Sequence, residues 1–153
     1  MELNMIPFSQ FIKEAYSGPI NWVKPIANEE HDEVHYQLAS HSESPFLPDW
    51  AHKRLSELKD KREWNKAINN GKVVNYSRQK VNNTNNTGDS WSSIENDAKK
   101  RRAPTLYGKD KTVQRPIVLR NPETNERHLI GGHHRISYVT GVLKKPAEVH
   151  EIV

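Results

Sequence analysis

RPIVLRNPETNERHLIGGHHRISYVTGVL, residues 115–143, holds the pattern on which the fold turns. RPIVL (115–119) is a β-branched run, NPETN (121–125) is turn chemistry, and RHLI (127–130) is a second short apolar run. The spacing predicts a hairpin. Gly131-Gly132 follow. Ile136, Val139 and Leu143 then recur at helical spacing, interrupted by Gly141. After Pro146, AEVHEIV (147–153) reads as a last strand. Strand, turn, strand, glycine turn, helix and strand in that order predict a compact α+β unit.

The glycine turn poses an electrostatic problem. A helix beginning after Gly132 carries His133, His134 and Arg135 in its first turn. The helix dipole is positive there, and each cation is unfavourable by about 0.3–1 kcal/mol. A bound anion reverses the sign. Phosphate accepts the unpaired backbone N–H groups, and Arg135 adds a fork of donors. Gly131 and Gly132 let the backbone approach closely. The alternative is that the histidines are neutral, solvent-facing and idle.

These residues resemble the ParB/sulfiredoxin-like domain, in an R-P-I strand, a second strand, a G-x-[HR]-R turn and a helix. The resemblance covers residues 111–153. It implies phosphate binding by Gly131, Gly132, His133, His134 and Arg135, with a nucleotide (ATP or CTP) and Mg²⁺ as cofactors. It also implies nuclease or phosphoryl-transfer activity, with His133 or His134 as base or nucleophile and Arg135 stabilising charge. The chain departs from the family's best-known members. His133 stands where partition proteins carry glutamate and where sulfiredoxins carry a reactive cysteine. The chain has no cysteine, so sulfinic-acid reduction is excluded. No helix-turn-helix segment follows the unit, and the resemblance narrows to small stand-alone phage-type members. Carboxylates for a metal are sparse, Asp110, Glu123 and Glu126 being the nearest in sequence.

Upstream, Phe8, Phe11, Ile12, Ala15 and Tyr16 form an amphipathic stripe that Gly18-Pro19 ends. IPFSQFIKEA (6–15) is similar to the leader of capsid-targeted internal proteins of T-even-like phages. Ile26-Ala27-Asn28-Glu29 has the I-x-x-E form of the maturation site in that system. Both patterns are short, and an ordinary amphipathic helix followed by a loop is the favoured reading of the same residues. Residues 1–27 are thus read as an arm, and 28–153 as one domain with a polar loop at 78–90. Further helices are expected over 28–39, over 50–68 with Asp49 as N-cap, and from Ser90 to Arg102. KVVNYS (72–77) is a candidate strand. Trp50, Trp64 and Trp91 are expected in the core, and Trp22 falls in a loop. HDEVH (31–35) places two histidines one helical turn apart, a spacing that can hold a metal. With no third ligand in view, a solvated polar face is the expectation.

The chain has 153 residues and a formal charge of +4. Residues 99–120 hold eight basic residues and one acid, whereas residues 1–98 hold 11 basic and 14 acidic. Lys99, Lys100, Arg101, Arg102, Lys109, Lys111, Arg115 and Arg120 are therefore candidate nucleic-acid contacts. Their grouping also suits a solvated basic face. No apolar run reaches the roughly 20 residues of a membrane span. A cytoplasmic protein of the host cell, with packaging in the virion as the leader implies, is expected. A non-catalytic DNA- or host-protein-binding phage factor, for example one that blocks a host defence, acting through the basic face and the N-terminal helix, is the alternative function.

Overall fold

The computed structural model describes residues 20–40, 47–84, 91–106 and 112–153, and the side chains among them other than those of 37–40 and 101–106. The predicted hairpin is present: β4 (Ile117–Arg120) pairs antiparallel with β5 (Arg127–Gly131). Asn121 makes the turn. Its Oδ1 accepts Glu123 N–H at 2.9 Å, and Asn125 supplies a left-handed residue at φ 61°. β6 (Ala147–Ile152) lies parallel to β4 and antiparallel to β2 (Lys72–Tyr76). The sheet order is β2-β6-β4-β5.

Strand alternation sends Ile117 and Leu119 to one face and Val118 to the other, and all three are buried. On the first face pack α1 (Ala27–Ser40), α2 (Asp49–Glu57) and α3 (Lys61–Asn69), with Val34, Leu55, Leu58 and Trp64 as the core. On the second pack α4 (Arg78–Asn82), α5 (Trp91–Leu106) and α6 (His133–Ser137), with Val81, Ile94, Ile136 and Val139. The fold is α+β, with helices covering both faces of a mixed sheet.

Several expectations are corrected. The helix expected over 50–68 is two helices. Asp60 breaks it by capping α3, accepting Arg62 N–H at 2.8 Å and Glu63 N–H at 3.3 Å. Pro48, not Asp49, is the cap residue of α2. The loop assigned to 78–90 begins with α4, capped by Ser77. α5 continues to Leu106, so Lys99 and Lys100 lie within the helix and not at its negative end. Trp22 is in a strand, β1 (Trp22–Val23), which pairs parallel with β3 (Val113–Gln114). Residues from Ile20 onward therefore belong to the body and not to an arm. Gly141 does not interrupt the last helix. A π-helical segment, Tyr138–Val142, continues α6 through it.

His31 and His35 do not form a solvated face. His31 is buried, and its Nε2 lies 2.8 Å from the Lys59 carbonyl; His35 Nε2 lies 3.1 Å from that of Leu58. The rings stand 4.5 Å apart against Trp64. They satisfy carbonyls released where α2 ends. Burial, and then the neighbouring His31, hold the His35 pKa below the usual imidazole range.

The amphipathic stripe and leader-like stretch of residues 6–16, the end of the polar loop, Lys109, Asp110, Lys111 and the side chains of Arg101 and Arg102 lie outside the described residues. No helix among the described residues is long and apolar enough to cross a membrane.

Candidate functional site

Gly131 ends β5, and Gly132 caps α6 at φ 84° and ψ 30°. That left-handed conformation is one glycine adopts without a side-chain penalty. Space is equally restrictive: a Cβ on Gly132 would lie 2.9 Å from Pro116 Cα and 2.9 Å from Arg135 Nη2. Arg135 is thus folded back over the turn that precedes it. A register shift between Ile117 and Val118 lies beside the same turn.

The negative charge that the first turn lacks is supplied by α1. Glu30 Oε1 accepts Arg135 Nη2–H at 3.1 Å, and the Glu30 side chain is only 3% exposed. A Cβ on Gly131 would meet Glu30 Oε2 at 3.3 Å, so the carboxylate lies directly against the turn. Burial raises the Glu30 pKa. Arg135 opposes the rise, and Glu33 and Glu29 add to it. Sequence reasoning missed Glu30. The available signal was an acid on the buried stripe of an amphipathic helix, with Ala27 before it and Val34 after it.

His133 is buried, and its ring lies parallel to the Trp91 indole at 24° with centroids 6.4 Å apart. The Arg78 guanidinium also contacts that indole, 5.6 Å from its centroid, and pairs with Glu95 at 3.2 Å. Burial lowers the His133 pKa to about 4, with the charges of His134 and Arg135 contributing. The imidazole is therefore neutral at pH 7, and its basicity is poorly matched to proton abstraction there. Around this turn, Glu30 Oε2, Trp91 Nε1, His133 Nε2, Arg135 Nε and Ser137 Oγ are buried without a hydrogen-bond partner among the described residues. Such groups are costly, and they cluster at sites of function more often than in plain cores.

A prediction follows for His133. Its folded pKa lies below the unfolded value near 6.5. The stability it contributes is complete above that value and is lost as pH falls toward 4. In a side-chain NMR titration the His133 ring stays neutral from pH 7 to 5. A midpoint near 6.5 contradicts the burial described here.

The other predicted residues are dispersed. Arg115, before β4, pairs with Glu148 at 3.1 Å. Arg120, at the far end of β4, donates to Asn125 Oδ1 at 3.0 Å and approaches the buried Glu151. Lys99 and Lys100 are exposed on α5. Glu126, one of the carboxylates considered for Mg²⁺, is hydrogen-bonded to His128 Nε2 at 3.0 Å and accepts Trp50 Nε1–H at 2.7 Å, and these two bonds depress its pKa. It sits at the opposite end of β5 from the glycine turn, as does Glu123. Among the described residues no group of three or more His, Asp or Glu side chains assembles around a common point. Comparison with known proteins finds no matching family model, curated protein or solved structure.

Proposed function

We propose that the chain binds a nucleotide or nucleic-acid phosphate at the Gly131–Arg135 turn, as its resemblance to ParB/sulfiredoxin-like proteins implies. The observation that carries this reading is the Arg135 guanidinium, folded over a left-handed glycine and already holding a carboxylate oxygen at 3.1 Å. A phosphate oxygen uses the same donors. Glu30 is then an internal competitor. A second anion at this guanidinium is accommodated when Glu30 takes up a proton, which its raised pKa favours.

Binding is better supported than catalysis by His133, whose neutral buried ring serves as packing. If the site cleaves or transfers a phosphoryl group, His134 is the imidazole left to act, with Arg135 stabilising charge.

Calorimetric titration with ATP, CTP and a short DNA at low salt tests the reading. Binding is expected for at least one of them. Arg135→Gln weakens it roughly 10- to 100-fold, the worth of a charge-assisted hydrogen bond. Glu30→Gln tightens it several-fold by removing the competing charge. Silence for all three ligands with both wild type and Glu30→Gln ends the proposal.

A further inference from the structure

A second site lies at the opposite end of β4. β4 and β6 are parallel neighbours, with Leu119 beside Ile152, so their carboxyl ends emerge together. Open sheets with parallel strands bind ligands in the crevice outside those ends. Here the crevice is a groove of about 520 Å³ between α2 and the β4–β5 turn. Trp50 and Arg54 form one wall, and Arg120, Asn121, Pro122 and Glu123 form the other.

The walls are held by bonds to residues outside the groove and, for Arg54, by bonds to Val153 and Glu57 within its lining. Trp50 Nε1 donates to Glu126 Oε2, and its ring rests 5.6 Å from that of His128. Arg54 donates through Nε and Nη2 to the Val153 carbonyl at 3.1 and 2.9 Å, and through Nη1 to Glu57 at 2.8 Å. Arg120 is fixed by Asn125. The turn is fixed by Asn121 N–H donating to the Glu126 carbonyl at 2.8 Å. A ligand entering such a site spends little free energy ordering the protein.

The chemistry of the lining limits what enters. Trp50 offers an aromatic wall and Pro122 an apolar one. Arg54 pairs with Glu57, Arg120 faces the buried Glu151, and Glu123 adds an acid to the lining, so the groove has no excess positive charge to attract a polyanion. A small ligand with an anionic group for Arg120, a planar ring for Trp50, and N–H or O–H donors for Glu123 and Asn121 uses every wall. We propose that this groove binds a planar aromatic compound carrying one anionic group and hydrogen-bond donors. That chemistry is met by a nucleoside monophosphate or by an aryl carboxylate. The inference does not rest on the reading of the glycine turn, which lies at the other end of the hairpin.

The test is calorimetry on the full chain with AMP, adenosine, indole-3-acetate and inorganic phosphate. AMP or indole-3-acetate binds at least about tenfold more tightly than adenosine or phosphate, the worth of one charge-assisted contact. Which of the two binds identifies the source of the anion. Arg120→Gln removes the advantage, and Trp50→Leu removes binding of both. Glu123→Gln, in an exposed turn where folding is not at stake, weakens binding at least threefold. No binding by any of the four overturns the proposal. So does binding that Arg120→Gln and Glu123→Gln leave intact.

Discussion

Arg135→Met is expected to lower the unfolding free energy by about 3–5 kcal/mol at pH 7, the cost of leaving a buried charge without its partner. The Glu30 side chain is 3% exposed, so water cannot replace the guanidinium. The sign of the pH dependence follows from the same geometry. Burial already holds the Glu30 pKa in the folded protein above the ordinary carboxylate value, and losing Arg135 raises it further. The folded state then holds a proton that the unfolded chain has released, so stability falls as pH rises above the unfolded pKa. The variant should therefore be weakest near neutrality and recover toward pH 5. Replacing both partners, Glu30→Leu with Arg135→Met, should return stability to within about 1 kcal/mol of wild type, because no charge is left stranded. Urea denaturation from pH 5 to 7 provides the measurement. A single variant as stable as wild type, or with the same pH profile, contradicts the buried pair.

Gly132→Ala is expected to cost about 3 kcal/mol. Forcing an L-residue into the left-handed region contributes about 1–2 kcal/mol of this. Overlap contributes about as much, since the new methyl would sit 2.9 Å from the Pro116 backbone, which cannot rotate away. The same methyl pushes on Arg135 Nη2, so phosphate binding at the turn should weaken along with stability. Gly131→Ala is the control. Its Cβ would meet only side chains, at 3.3 Å, and Gly131 has no left-handed backbone to preserve. Equal stability of the two variants in urea melts removes the argument.

The hairpin, the glycine turn and the closing strand were legible because each is local. β-branched runs, Asn121 and Asn125 at the turn, and helical spacing after Gly132 act over a few residues. The break between α2 and α3 was legible in principle, since Asp60 with Glu63 three residues on has the form of a capping box. The apolar stripe running through both helices masked it. His31 and His35 were misread because their partners, the carbonyls of Leu58 and Lys59, are 23 and 28 residues away.

By itself the sequence determined that an α+β unit forms around the hairpin and that a cationic first turn follows a glycine pair. Both are dictated by backbone sterics and periodicity. The tertiary structure alone decided what answers that charge. Glu30 arrives from 105 residues away, His133 is buried against Trp91, and Arg115 and Arg120 are parted by the length of β4. The physical reason is that burial and charge pairing depend on which elements pack together, and residue spacing along the chain does not encode that.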